Sequence, residues 1–140
     1  MCPAPAHCIL TPLKDSCELT NTMYVSADYD TYLGQVVGSG QCVDYVKVAA
    51  NAPATNLWSE GPKVRNAHLL PGTAIATFQN GKYQNLTNGD SHAAIFLRQV
   101  TDGIFVNDQW AGQPVSLRLI RFKGGQGTPN NDGDAFSVVE

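Results

Sequence analysis

A single helical pattern followed by a run of strand patterns is the feature that most constrains the fold of this chain. The helical pattern begins directly after a glycine-rich loop at residues 34–40, and it places Val43, Val46 and Ala50 on one face at helical spacing. Pro53 marks the end of the helix, because proline cannot continue one. The first regular element of the chain is therefore predicted to be one short amphipathic helix.

Strand patterns fill most of the sequence after this helix. Apolar and β-branched segments alternate with clusters of Gly, Asn and Asp, and the predicted strands are 73–78, 92–100, 104–110, 115–122 and 135–139. Residues 55–64 are expected to form a second short helix or an irregular segment, and residues 124–133 a flexible excursion. A helix followed by consecutive antiparallel strands predicts an α+β fold, with the helix packed on one face of the sheet.

The length and net charge of the chain argue against several classes of protein. At 140 residues the chain fits one folded domain, for which we expect bounds of 23–140 and a monomeric state. The 9 basic and 12 acidic residues give a net charge of −3 without any basic run, which argues against nucleic-acid binding. The longest apolar stretch is residues 93–97, far short of the roughly 20 residues that cross a bilayer, so we expect no membrane insertion.

The four cysteines are distributed unevenly, since Cys2, Cys8 and Cys17 crowd the N-terminus while Cys42 stands alone. The chain has no CxxC pair, so a structural zinc site of the usual spacing is not expected. We interpret residues 1–22 as a disulfide-stapled arm whose pairing stays open, which predicts an oxidising, extracellular location after removal of a signal peptide. The sequon at Asn85 fits a secreted protein.

Cys42 is the first candidate for chemistry, because it falls in the first turn of the predicted helix. The positive end of the helix dipole and the unpaired N–H groups there favour the thiolate, which is the form that attacks carbonyl carbon. The same N–H groups are suited to an oxyanion hole. The alternative interpretation is a structural cysteine that packs as a small apolar side chain.

A cysteine nucleophile needs a base, and the chain has three histidines. His7 lies in the N-terminal arm and His68 in a predicted loop, whereas His92 opens an apolar strand that holds it on a rigid element. His92 is therefore the predicted base, and the alternative is a strand-end histidine that faces solvent.

The base needs an orienting group, and Asn107, Asp108 and Gln109 stand near the end of the next predicted strand. A two-residue turn at Asp102-Gly103 would place His92 opposite Gln113, beyond all three of them. A bulge or a shifted turn is therefore required, and the sequence leaves the choice among the three residues open.

Four segments together carry a resemblance to a known family. They are Gly40-Gln41-Cys42 at the helix start, residues 72–78, the segment from Ser91 to Ile95, and residues 103–110. In order and spacing they resemble the papain-like amidases of the NlpC/P60 and CHAP group, and most closely the type VI secretion amidase effector family 2. This resemblance covers about residues 29–122, and the cysteine-rich N-terminus resembles the domesticated amidase effectors of ticks.

The resemblance implies a papain-like fold with the nucleophile on the N-terminal helix. It places the nucleophile on Cys42, the base on His92, the third polar residue on Asp108, and a glutamine beside the oxyanion hole on Gln41. No metal and no cofactor are expected.

The implied activity is that of a secreted antibacterial amidase that cleaves the D-Ala to diaminopimelate cross-links of bacterial peptidoglycan and lyses the cell. For the bacterial relatives an immunity protein is the expected partner. Two alternatives stay open: a non-catalytic wall-binding or inhibitor module on the same fold, and lipid acyl transfer by the same Cys/His pair.

Overall fold

The structure is a computed structural model that describes residues 23–140. The predicted disulfide-stapled arm, with Cys2, Cys8 and Cys17, lies outside the described residues, so its pairing stays a prediction. None of the helices in the described part of the chain is long and apolar enough to cross a membrane.

One α-helix packs on one six-stranded sheet. Helix α1 spans Cys42–Ala50, and the strands are β1 (Glu60–Lys63), β2 (Thr73–Thr77), β3 (Ala93–Val100), β4 (Gly103–Trp110), β5 (Gln113–Arg121) and β6 (Phe136–Val139). The order across the sheet is β1-β6-β2-β3-β4-β5, and every neighbouring pair is antiparallel. The predicted α+β architecture, with the helix on one face, is confirmed.

Strand β1 was not expected from the sequence. The segment predicted as a second helix or irregular stretch holds one 3-10 turn, Thr55–Leu57, followed by β1. The strand contains Gly61 and Pro62 and shows no apolar alternation. Within residues 23–140 it pairs only with β6, at the edge of the sheet. Proline is tolerated at a sheet edge because its missing N–H breaks no ladder there. Pairing with β6, and not local propensity, therefore creates this strand.

The two faces of the sheet are covered by different parts of the chain. Ala74, Ala93 and Ile95 pack against α1, whereas Ala94 and Phe96 pack with β6 and β4 on the opposite face. Successive side chains of a strand alternate between faces, so only one of the two neighbouring alanines gives the helix room to approach.

The loop before α1 is held by the helix itself. Ser39 donates from its N–H and its Oγ to Asp44 Oδ2, at 2.8 and 2.7 Å. Gly38 has φ of +59°, and a Cβ there would lie 2.6 Å from Asp44 Oδ2, so the turn requires glycine. Gln41 is the N-cap, yet its side chain makes no capping hydrogen bond. The first residue of the helix, Cys42, therefore follows a loop of defined shape.

The hairpin between β3 and β4 has a different register from the expected one. Val100 pairs with Gly103, so the turn is Thr101-Asp102, and a bulge at Leu97 shifts the pairing again. Gly103 is the first residue of β4, and this position requires glycine because a Cβ would lie 2.5 Å from the carbonyl oxygen of Ile120 on β5. The predicted turn at Asp102-Gly103 is therefore wrong, and both a shifted turn and a bulge are present.

The segment 124–133, predicted as a flexible excursion, contains the 3-10 turn Pro129–Asn131 and is tied down by one carboxylate. The buried Asp132 accepts hydrogen bonds from the backbone N–H groups of Lys123, Gly125 and Asp134, at 2.6–2.9 Å. These bonds stabilise the carboxylate and lower the pKa of Asp132, although its burial acts in the opposite direction. The segment thereby brings Asn130 and Asn131 to the site described below.

Candidate active site

The Cys42 thiol is half-buried at the first residue of α1, and among residues 23–140 it is the free cysteine. Burial raises its pKa, but the neighbouring His92 imidazole, the Tyr83 hydroxyl and the Ala93 backbone amide together outweigh that effect. The pKa of the thiol is therefore lowered from its ordinary value, in the direction that produces a nucleophile.

The His92 imidazole is buried one residue before β3, with 6% of its side chain exposed. Its backbone is fixed by Thr77, whose Oγ1 accepts from the His92 N–H at 3.0 Å. Nε2 lies 2.7 Å from Asp108 Oδ2, which leaves Nδ1 as the ring nitrogen for the thiol. Burial lowers the pKa of the imidazole, but the bonds to Asp108 and Cys42 outweigh it and raise the pKa to about 9.

The two pKa shifts have opposite signs and share one cause. Asp108 raises the pKa of the imidazole, and the thiolate and the imidazolium in addition stabilise each other, which raises the imidazole pKa further and lowers that of the thiol. Such a pair supplies a charged nucleophile and a proton donor at the same time. The arrangement is therefore suited to attack on a carbonyl followed by protonation of a leaving amine.

Asp108 reaches His92 because of the bulge in β3. Beyond the bulge Ile95 pairs with Asn107, which puts Asp108 on the sheet face of Ala94 and His92. Without the bulge, the register near the turn would have put Asn107 and Gln109 on that face, because a shift of one residue exchanges the two faces. Of the three polar residues that the sequence left open, the structure places Asp108 against the imidazole.

Asn107 and Gln109 lie on the opposite face and hold the loops that precede α1. Asn107 Nδ2 donates to Asp30 Oδ1 at 2.8 Å. The fully buried Gln109 accepts from the N–H of Val37 at 2.9 Å, and its Nε2 donates to the carbonyls of Val37 and Gln41, both at 2.8 Å. Three consecutive residues of β4 thus contact two sides of one site: Asp108 bonds to the His92 imidazole, whereas Asn107 and Gln109 hold the segments that precede Cys42.

Arg118 on β5 is a site residue that the sequence analysis missed. Its Nε and Nη2 donate to Asp108 Oδ2 at 3.0 and 2.7 Å, and its Nη1 donates to Asn131 Oδ1 at 3.0 Å. The guanidinium also lies over the Trp110 ring, 5.3 Å from its centroid. A tight turn at Ala111-Gly112 alone would pair Arg118 with Phe105, on the other face of the sheet. The register shift between Asp108 and Trp110 instead pairs Asp108 with Ser116 and makes Arg118 its diagonal neighbour, and no pattern in the sequence signals that shift.

A cleft of about 450 Å³ opens over these groups. Among the residues that the structure describes, the lining contains no acidic residue, and Arg118 is its one permanently charged side chain. These lining residues are Gln41, Cys42, Leu86, Thr87, Gly89, Ser91, His92, Trp110, Ala111, Arg118, Asn130 and Asn131. Gln41 thus lies at the cleft beside Cys42, with its side chain free of capping bonds. His68 lines a separate groove and does not join the site.

Three aromatic side chains near the site occupy distinct positions. Trp110 is 41% exposed on the cleft wall, whereas Trp58 is buried in the core beneath α1. The Tyr83 hydroxyl lies 3.6 Å from Cys42 Sγ. Among residues 23–140, no group of three or more His, Cys, Asp or Glu side chains is arranged to hold a metal ion.

The helix-bound thiol on an antiparallel sheet defines the class: this is a papain-like α+β protein. The solved structure of type 6 secretion amidase effector 2 (Tae2) superposes with a TM-score of 0.71 at 34% identity, covering 84% of this chain and 94% of that one. A sequence model of the family described as "Domesticated amidase effector 2" matches residues 16–139. The chain therefore belongs to the domesticated amidase effector 2 family.

Two curated relatives agree with this assignment. The type VI secretion amidase effector 2 protein of Salmonella typhi is 42% identical over 114 residues, which is 71% of this chain and 84% of the relative. The domesticated amidase effector 2 of Ixodes scapularis is 43% identical over 88 residues, 61% of this chain and 58% of that protein. The family expected from the sequence is confirmed, and the relatives are named for amidase activity.

Proposed function

We propose that this protein is a secreted antibacterial amidase that hydrolyses the peptide cross-links of bacterial peptidoglycan by a Cys42/His92/Asp108 mechanism. The names of the relatives support the amidase reaction, since both are amidase effectors. The observation that carries the mechanism is the linked series of contacts from the thiol through His92 to Asp108, with the His92 to Asp108 bond at 2.7 Å.

The chemistry follows from the charges of the pair. The Cys42 thiolate attacks the amide carbonyl, forming an S–C bond while negative charge moves to the carbonyl oxygen. His92, as the imidazolium, transfers its Nδ1 proton to the leaving nitrogen as the C–N bond breaks. The neutral imidazole then takes a proton from water, whose oxygen attacks the thioester carbonyl. The S–C bond breaks, the acid is released, and the thiolate of Cys42 and the imidazolium of His92 are restored.

The oxyanion of each tetrahedral intermediate needs donors at the start of α1. The backbone N–H of Cys42 belongs to the first turn, where the helix supplies no acceptor for it. The Gln41 side chain lines the same cleft without another partner in the helix cap, and we assign it the second donor position.

The cleft is suited to binding a peptide and not a polyanion. Its walls combine apolar Leu86 and Trp110 with the amides of Asn130 and Asn131, and the net charge of −3 provides no general attraction to an anionic wall. Binding therefore rests on contacts within the cleft, since the Arg118 charge is already paired with Asp108. The D-Ala to diaminopimelate bond is the cross-link we assign.

Digestion of purified peptidoglycan tests the proposal directly. Sacculi with diaminopimelate cross-links are incubated with the protein, and the fragments are separated by chromatography and identified by mass spectrometry. Loss of cross-linked dimers with wild type, but not with Cys42→Ala, is the expected result. Intact dimers after prolonged incubation with folded wild-type protein would overturn the amidase assignment, and parallel sacculi with lysine cross-links measure its specificity.

The same experiment separates the enzyme from a wall-binding module on this fold. A binding module would sediment with sacculi and act on bacteria equally well as wild type, Cys42→Ala or His92→Ala. The enzyme requires that both variants lose antibacterial effect while they still sediment with sacculi.

A further inference from the structure

The Tyr83 side chain contacts the nucleophile although nothing in the reaction as described uses it. Its hydroxyl lies 3.6 Å from Cys42 Sγ, within the range of a hydrogen bond to sulfur. Tyr83 comes from the connection between β2 and β3, a part of the chain distant from α1 in sequence. The fold therefore brings the Tyr83 hydroxyl from a distant loop to the sulfur of Cys42.

The ring of Tyr83 is held in place on two sides. It packs against Trp58 at 5.1 Å between centroids and edge-on against Phe78 at 6.5 Å. Trp58 is itself anchored, because its Nε1 donates to the carbonyl of Pro53 at 2.9 Å. The hydroxyl therefore has a defined position, which aromatic packing provides independently of the thiol.

The hydroxyl reaches the sulfur from the interior. Tyr83 is half-buried and belongs to the aromatic cluster beside α1, and it is not part of the cleft wall where Gln41, His92 and Arg118 lie. Burial raises the pKa of the phenol, so the O–H keeps its proton when the thiol has lost its own. In that state the phenol is a donor and the thiolate an acceptor.

We propose that Tyr83 is a positioning residue for the nucleophile, whose O–H donates to the Cys42 thiolate from behind the cleft. This role rests on the proposed cysteine mechanism. The hydrogen bond stabilises the thiolate and directs the sulfur lone pair that remains free towards the substrate. During acylation the S–C bond forms, the charge leaves the sulfur and the bond to Tyr83 weakens. The phenol proton stays on Tyr83, because His92 supplies the proton that the leaving amine needs.

The test measures the thiol itself and does not require turnover. Wild type and Tyr83→Phe are treated with iodoacetamide across a pH series, and alkylation of the peptide that contains Cys42 is quantified by mass spectrometry. Removing the donor destabilises the thiolate, so the midpoint of alkylation rises by about one pH unit, a roughly tenfold smaller thiolate fraction below the midpoint. On peptidoglycan fragments, kcat falls at low pH and recovers at higher pH while KM is unchanged.

Tyr45→Phe is the matched control. Tyr45 lies on α1 in the same core, but its hydroxyl donates to the carbonyl of Tyr29 and not to the thiol. The proposal expects this variant to keep the wild-type midpoint. An unchanged midpoint in Tyr83→Phe, or an equal rise in both variants, would overturn it.

Failure of the proposed function has a different signature. If the alkylation of wild-type Cys42 had the pH midpoint of an ordinary free thiol, the thiolate–imidazolium pair would be absent. This result would overturn the proposed amidase mechanism as well as the role of Tyr83. A wild-type midpoint below that value together with no change in Tyr83→Phe would remove only the role of Tyr83.

Discussion

Asp108 and Arg118 form an ion pair through Asp108 Oδ2, which is the same oxygen that contacts His92, the candidate base. Asp108 Oδ2 accepts two hydrogen bonds from Arg118 and also lies 2.7 Å from His92 Nε2. Asp108 is fully buried, and the Arg118 side chain is 22% exposed at the cleft. The carboxylate that orients the imidazole is thus itself oriented by a second strand.

We expect Cys42→Ala to abolish amidase activity and to leave thermal stability nearly unchanged. The thiol sits at a helix start and contributes little packing, so we expect the melting temperature to change by less than about 3 °C. Calorimetry on the two proteins measures it. A large drop would indicate instead that Cys42 is a structural apolar side chain.

Asp108→Asn should lower the His92 pKa from about 9 towards its ordinary range, because the imidazolium loses its anionic partner. NMR titration of the imidazole measures the shift. The variant also leaves the Arg118 charge without its carboxylate, and since that side chain is partly exposed we expect a stability loss of about 2 kcal/mol.

Activity of Asp108→Asn should fall less than that of His92→Ala, since the base is retained but poorly oriented. Unchanged activity would show that the contact with His92 is not used in the reaction.

Arg118→Lys tests whether the paired donors matter beyond charge. An ammonium cannot supply both bonds to Asp108 and also bind the loop at Asn131, so we expect roughly a tenfold fall in kcat/KM. Arg121→Lys is the control on the same strand, because Arg121 pairs with Asp102 at an exposed position far from the cleft. Equal effects of the two substitutions would contradict a site-specific role for Arg118.

Gln109→Leu should destabilise the protein by about 3 kcal/mol, because it removes three buried hydrogen bonds and leaves the N–H of Val37 without a partner. Denaturant unfolding measures the loss. Gln99→Leu changes an exposed glutamine of β3 and should cost much less. Similar losses in the two variants would argue against the clamp on the loop before α1.

Activity should follow a bell-shaped pH profile. It rises as the pH passes the lowered pKa of Cys42, because the thiolate forms, and it falls above about pH 9, because His92 loses the proton for the leaving amine. Initial rates across the pH range test this expectation. An alkaline limb near 6.5, the ordinary value of histidine, would show that Asp108 and Cys42 do not hold the imidazolium.

The same shift links His92 to stability with a definite sign. The folded pKa of about 9 lies above the ordinary value of 6.5, so protonated His92 favours the folded state. This contribution is complete below about pH 6.5 and is lost as the pH rises through about 9.

Much of the fold was predictable because it follows from local patterns. The apolar spacing of Val43, Val46 and Ala50 predicted α1. The alternation of apolar segments with clusters of Gly, Asn and Asp predicted β2 to β6 to within one or two residues. The sequence did not predict β1, because Gly61 and Pro62 are not typical strand residues and its partner β6 lies near the other end of the chain.

Sequence alone also identified Cys42 and His92 as candidates, because the start of a helix and the start of a strand can be located from the sequence pattern. It could not choose among Asn107, Asp108 and Gln109, nor could it find Arg118 or the contact of Tyr83 with the thiol. Side-chain periodicity is a property of neighbouring residues, whereas register depends on packing between strands. The turn at Thr101-Asp102 and the bulge at Leu97 set that register, and a shift of one residue decides which side chain faces His92.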